Sequence, residues 1–465
     1  MPRPIILLEF NEIVPQLVDR FIADGKLPNF KKFKNQSDVF TSIADEEQPP
    51  NLEPWIQWYS LHTGMPFSEH GVFRLTDGLK SDHDDIWRIL AKQGKRVINM
   101  SSMNARSFDP QSGSVYLPDP WCSTATPYPA ELSDYQRFVS HMVMEYSNSG
   151  GDIKKLGTRF VKMLATHGLS LTTMLKIGKQ LAGEKIGGSR ATWQRATVLD
   201  TMQFDVFKHF YKKNNPDFST FFINSTAHFQ HAYWKDMDPK TFGVAESNDS
   251  PHKDAVLYGY QEMDKLLARF MKLAEKRNAL LVLSSALSQQ PYLDHIGKDG
   301  IYYRFKNIEN FMAQLDLPFL NIEPVMTNQY RLNFESLDDA KKAVNALEKI
   351  MVKGKNVLGI VHDDNTQVFV GVDTHQVIAD SQILQVEGLP DSNFRDVFYA
   401  LDVSKSGKHH PDGLLWFRTG DYHLHSDKQS ILNVLPTLVS LQGVDLSQFK
   451  FQGDSFVHQL RPDAK

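Results

Sequence analysis

Carboxylates and imidazoles gather in four short stretches of this chain. They are Glu9 to Glu12, Asn51 to Glu53, His228 with His231, and His409 to Asp412. Ser288, Gln289 and Gln290 add a fifth group of neutral polar side chains. Carboxylate oxygens and neutral imidazole nitrogens are the donors that divalent ions take. Glu9, Glu53, His228, His231 and His409 could together hold one such ion. Glu53 is alternatively a carboxylate nucleophile or general base. Plainer readings stay open for each. His228-x-x-His231 can be an ordinary hydrogen-bonded pair, and it follows a strand, so helical i, i+3 geometry is not assured. His409-His410 can be a solvated loop pair, and Asp412 can cap the turn Pro411-Asp412-Gly413. Glu9 can accept backbone N–H bonds at the next helix start, and Gln289 and Gln290 can satisfy loop backbone.

Chemistry at these positions needs a frame that brings distant segments together. Residues 5–8 are a continuous apolar run, as in a strand buried on both faces. Residues 14–22 have helical spacing, closed by Gly25 and Pro28. A helix over 84–93, a strand at 96–100, strands at 218–223 and 279–283, and an amphipathic helix over 255–273 follow. The chain returns to a strand at 413–417 and ends in a helix over 428–441. This alternation predicts an α/β fold with a mostly parallel central sheet covered on both faces. Open sheets of that kind hold their sites outside the carboxyl ends of the strands.

The core is expected over 1–105, 216–300 and 395–465. Residues 106–215 read as an irregular loop and then a helical cap. A small α+β insertion is expected over 320–375: a strand at 325–334, a helix over 336–351 that Ser336 can cap, and a hairpin around Asp363-Asp364-Asn365.

Lys and Arg number 51 against 55 Asp and Glu, a net charge of -4, which gives no reason to expect nucleic acid as a partner. Cys122 is the single cysteine, so no disulfide can form within the chain. No apolar stretch approaches a membrane span, and the run at 5–8 is too short for a signal segment. A soluble, cytoplasmic protein is expected. Lys154, Lys155, Arg159, Lys162, Lys176, Lys179, Lys185, Arg190 and Arg195 stand among apolar residues of the cap. Such a stretch can lie on an anionic membrane face, grip a phosphorylated substrate, or simply be the solvated side of a packed helix. Trp55, Trp58, Tyr59 and Trp234 read as core, with stacking on a sugar or base as the other possibility. Oligomeric state leaves no mark on the sequence.

Five segments, in order, carry a family resemblance. They are Leu7-Leu8-Glu9-Phe10-Asn11-Glu12 with Leu27-Pro28-Asn29-Phe30; Trp58 to Gly64 with Glu69-His70-Gly71-Val72; Gln230 to Trp234; Tyr260 to Asp264 with Leu281 to Ser285; and His409-His410-Pro411-Asp412-Gly413 with Ile431 to Leu438. Together they resemble the alkaline-phosphatase superfamily in its type I phosphodiesterase/nucleotide-pyrophosphatase-like branch.

The resemblance implies attack by a Ser or Thr alkoxide on phosphorus or sulfur, assisted by two divalent ions, commonly zinc. The site departs from that pattern. The first metal-binding Asp falls on Asn11, and the nucleophile falls on Pro54, with no Ser or Thr from 43 to 59. The Asp expected before His231 is Ala227, and a later Asp-His is Ser285-Ala286. Only His231 and His409 land on family ligand positions. The resulting assignment takes Glu9, Asn11, His231 and His409 as metal ligands and Glu53, Asn11 and His228 as catalytic groups. Asn51, Gln289, Gln290 and His410 are taken as substrate-binding. It implies zinc or manganese, fewer ions than the family norm, and an anionic small-molecule, glycan or lipid phosphoester as substrate, hydrolysed or transferred. His70 is expected to be structural. The competing reading is a non-catalytic scaffold that binds an anionic ligand or a protein.

Overall fold

Strand β1 (Ile5–Phe10) is buried at every position because both faces of its sheet are covered. Ile6, Leu8 and Phe10 enter one apolar core, and Ile5 and Leu7 enter the other. This is the period-two alternation of a pleated strand. The computed structural model describes residues 2–108, 113–144, 152–187, 192–245, 250–293, 302–324, 329–362, 365–374, 377–401 and 406–461. The chain divides into two units. The first comprises 1–143, 149–291 and 407–465, and the second comprises 144–148 and 292–406.

The first unit is built on β1 and ten further strands: β2 (Asp38–Ile43), β3 (Val97–Met100), β4 (Val115–Leu117), β5 (Phe218–Ile223), β6 (Leu280–Ser284), β7 (Ser288–Pro291), β8 (Gly407–His410), β9 (Asp412–Phe417), β10 (His423–Leu424) and β11 (Gln429–Ser430). The main sheet runs β10-β2-β9-β6-β1-β5-β3-β4, with β11 also on β2. β5 and β6 flank β1 in parallel, and β9 runs antiparallel to both β6 and β2. β7 and β8 form a separate antiparallel pair that sets His409 opposite Gln289. The expected mostly parallel α/β sheet is present.

Three expectations change in detail. The excursion after residue 101 contains β4, which joins the sheet edge beside β3. The last helix begins at Val434, because Gln429–Ser430 is first used as a strand against β2. Within the expected cap, the helix Arg195–Asn214 buries Phe204, Phe207 and Phe210 in the same core as Phe221 of β5, so it is a layer of the main fold. Among the described residues no helix is long and apolar enough to cross a membrane.

The second unit has its own apolar core, with Tyr303, Leu332, Leu347, Val370 and Phe398 among its buried residues. Strands Phe319–Pro324, Gln329–Phe334, Gln367–Val372 and Leu358–Val361 form an antiparallel sheet. The helix Leu337–Leu347 is capped by Ser336, which accepts from Asp339 N–H at 3.1 Å. Its extent is wider than 320–375, because Tyr302–Phe305 and Phe398–Leu401 pair and share that core. Residues 325–328 and the turn residues Asp363 and Asp364 lie outside the described residues.

Polar contacts tie the second helix to the helix Ala255–Glu275. Helix α1 (Pro15–Ala23) leads into α2 (Pro28–Lys34), which has no side-chain cap of its own. Asp264, on the helix Ala255–Glu275, accepts instead from Asn29 N–H at 2.9 Å and Phe30 N–H at 2.8 Å. It thereby satisfies two of the donors a helix start leaves unpaired. Replacing Asp264 with Ala is expected to destabilise the first unit by about 1–2 kcal/mol, with Asp264→Asn less harmful, as read by thermal unfolding.

Candidate functional site

The site forms where β1 ends. Asn11 N–H still bonds Ile223 O of β5 at 3.1 Å, and the next residue, Glu12, turns into the left-handed region at φ 56°. A non-glycine residue held there carries strain that its surroundings must offset. Gln230 Nε2 holds the Glu12 carbonyl at 2.8 Å. Tyr260 backs that amide, donating to Gln230 Oε1 at 2.6 Å while accepting from Val14 N–H at 2.9 Å.

The Glu12 carboxylate is buried and has a donor on each oxygen. Asn11 Nδ2 reaches Oε1 at 2.8 Å, and Gln289 Nε2 reaches Oε2 at 2.6 Å. His231 Nε2 lies 3.0 Å and His409 Nε2 3.5 Å from that same Oε2. Burial by itself would raise this carboxyl, but His231, His409 and the bond from Gln289 outweigh it and hold it down to about 2. Each imidazole is oriented by its other nitrogen. His231 Nδ1 donates to Gly407 O at 2.9 Å, and His409 Nδ1 faces Glu53 Oε2 at 3.4 Å. A ring held this way turns Nε2 inward, the pattern by which outer partners orient metal-binding histidines.

Glu12, His231 and His409 offer ligand atoms that all lie within 4.8 Å of one another. Donors about 2.0–2.2 Å from a tetrahedral ion stand about 3.3–3.5 Å apart, close to the spacing around Glu12 Oε2. Two imidazoles and one carboxylate also leave a coordination position open. The donor set therefore fits a divalent ion in both chemistry and spacing.

Of the candidate residues, His231, His409, Asn11 and Gln289 converge on Glu12, and Glu53 meets His409 behind them. Glu9 does not join them. It shares the parity of Ile5 and Leu7, so it points into the sheet face under helix α3 (Pro54–Thr63), where Oε1 meets His62 Nε2 at 2.8 Å. Its Oε2 and His62 Nδ1 have no hydrogen-bond partner among the described residues. Glu12 takes the place expected for Glu9. Asn11 is not turned to act as a ligand, because Trp58 Nε1 donates to its Oδ1 at 2.7 Å and its Nδ2 serves Glu12 and Asn224. It is a clamp. His228 stands one turn before His231 on the helix Ser225–Met237, exposed and outside the three-residue cluster.

The substrate candidates are occupied locally. Asn51 donates to Glu46 at 3.3 Å, Gln290 donates to His409 O at 3.1 Å, and His410 Nδ1 accepts from Asp412 N–H at 3.1 Å. Asp412 pairs with Lys428 at 2.7 Å. Trp58, Tyr59 and Trp234 are buried, and Trp55 donates to Phe73 O at 2.8 Å. Gly407 has a strict requirement, since a Cβ there would lie 2.3 Å from Gln289 Oε1 and 2.8 Å from Gln230 O.

Ser60, the first serine or threonine of α3, is not set up as a nucleophile. His70 Nδ1 accepts from Val72 N–H at 3.0 Å, so its Nε2 carries the proton given to Ser60 Oγ at 2.9 Å. Ser60 in turn donates to Asp45 Oδ2 at 3.2 Å. Burial holds His70 down to about 4, neutral at ordinary pH. The protons run opposite to those of a base-activated serine, and His70 is structural.

Sequence reasoning missed Glu12 as the centre, and it gave no role to Gln230 and His62, although both stand in segments that carry the resemblance. The strand parity of Glu9 was the available signal. Gln230 opens one of the segments that carry the resemblance, but nothing in the sequence set its amide against Glu12.

The chain matches the family model "Type I phosphodiesterase / nucleotide pyrophosphatase" over residues 6–368. No curated protein matches it significantly. Among solved structures, it is similar to phosphonoacetate hydrolase from Sinorhizobium meliloti 1021, with 14% identity, 95% of this chain and 96% of that chain covered, and a TM-score of 0.43. A murine ectonucleotide pyrophosphatase/phosphodiesterase 5 gives 11% identity, 98% of both chains and a TM-score of 0.43. The alkaline phosphatase PafA gives 14% identity, 98% of this chain, 99% of that chain and a TM-score of 0.43. With the family model matched over well over half of its length, the protein belongs to the type I phosphodiesterase/nucleotide pyrophosphatase family.

Proposed function

We propose that the protein is a hydrolase of anionic phosphoesters, of phosphodiester or pyrophosphate type, built around one divalent metal ion on Glu12, His231 and His409. One observation carries the reading. In a chain of this family, two imidazoles oriented from behind meet a buried carboxylate at the end of the central strand. Zinc or manganese suits such donors. When bound, the ion would supply Lewis acidity toward a phosphoryl oxygen.

The chain's own groups do the rest. Asn11 and Gln289 fix the Glu12 carboxylate, Gly407 O fixes the His231 tautomer, and Glu53 fixes His409. Glu53 is 28% exposed, so water reaches it, and it is the group that accepts a proton from the attacking water. Oxygen from that water bonds to phosphorus, the bond to the leaving oxygen breaks, and the leaving oxygen takes a proton from solvent. His228, exposed one turn from His231, lies on the solvent side for substrate contact.

Two measurements test this. Elemental analysis after equilibration with zinc or manganese is expected to find about one ion per chain, with His231→Ala and His409→Ala each weakening affinity at least tenfold. Metal at trace level in the unaltered protein ends the reading. Glu53→Gln is expected to slow hydrolysis of bis(p-nitrophenyl) phosphate by about 10²–10⁴-fold while still binding the ion. An ion bound without hydrolysis above the metal-free protein would leave a binding scaffold instead.

A further inference from the structure

The helix Leu171–Gly187 packs with its faces reversed. Its inward side is polar. Thr173 is buried on Asp205, Lys176 Nζ donates to Thr197 O at 3.0 Å and pairs with Glu262 at 2.5 Å, and Glu184 pairs with Arg195 at 2.6 Å. Its outward side is apolar: Leu171 is 77% exposed, Leu175 74% and Ile186 90%, flanked by exposed Met174 and Leu181. These five residues fall on one arc of a 3.6-residue helix, and a helix on a water-facing surface shows the opposite arrangement.

The charges on that outer arc are cationic. Lys179 and Lys185 are exposed on it. The preceding helix, Asp152–Thr166, buries Phe160, Met163 and Leu164 in the core and exposes Lys154, Lys155, Arg159 and Lys162. A second copy meeting this face through a two-fold axis would bring two cationic faces together. A flat anionic surface with an apolar interior satisfies both features, because the leucines and isoleucine enter it while the lysines stay at its charged boundary.

We propose that this face docks the protein onto membranes containing anionic phospholipid. The proposal stands independently of the hydrolase reading.

The test is co-sedimentation of the full chain with vesicles of phosphatidylcholine alone or mixed with phosphatidylglycerol, beside sedimentation without lipid. Binding is expected only to the mixed vesicles and is expected to weaken with salt. The pairs Leu175→Glu with Ile186→Glu, and Lys179→Glu with Lys185→Glu, are each expected to lower partitioning at least about tenfold. Both pairs lie on the outer arc, so their melting temperatures are expected to stay near that of the unaltered protein. An unaltered protein that leaves mixed vesicles unbound overturns the proposal, as does binding that both pairs leave intact. Dimerisation without vesicle binding, abolished by the Leu175→Glu pair, overturns it in favour of a second copy.

Discussion

A buried carboxylate must be compensated or it will not stay ionised, and the rim of this sheet is organised around that requirement at Glu12. Beside the adjacent Asn11, its neighbours come from three distant parts of the chain: His231 from the helix after β5, Gln289 from β7 and His409 from β8. The left-handed backbone at Glu12 aims the side chain there, and Gln230 and Tyr260 stabilise that backbone from the helices behind. Strain at one residue is thus over-determined by contacts from several elements, as at sites built for chemistry.

The fold was largely legible because its signals are local. The apolar run of β1, the period of the helix Ala255–Glu275 and the cap at Ser336 each follow from neighbours in sequence. The site was legible by segment but not by residue. Glu9 and Glu12 are three positions apart, and both follow or end the same apolar run. Which one reaches the rim depends on where the pleat stops: Glu9 is still within the ladder, opposite Phe222 and Ser284, whereas Glu12 has left it. Counting parity from Ile5 separates them. Asn11 was misassigned for a different reason. An amide can serve as ligand or as clamp, and the choice rests on Trp58, forty-seven residues away.

The helix Leu171–Gly187 marks the limit of hydrophobic spacing as a guide. Spacing reveals that a helix has two faces, but not which face meets the protein. That depends on polar partners elsewhere, here Asp205, Glu262 and Arg195. Of the cations of this region, Lys176 proves to be an internal tie to Glu262 and the exposed Arg195 pairs with Glu184, while Arg190 lies outside the described residues.

The second unit enters the chain after β7 and leaves it before β8, and those two strands are paired residue for residue. Tyr292 N–H to Ser406 O, at 2.8 Å, extends the same ladder. Topologically, everything from 292 to 406 is therefore the loop of a hairpin. Lengthening such a loop adds little closure entropy, since the cost grows only with the logarithm of its length. The stem keeps Gln289 facing His409 whatever hangs from it. The span between the stem strands can therefore grow or shrink at small entropic cost while the stem's pairing stays the same.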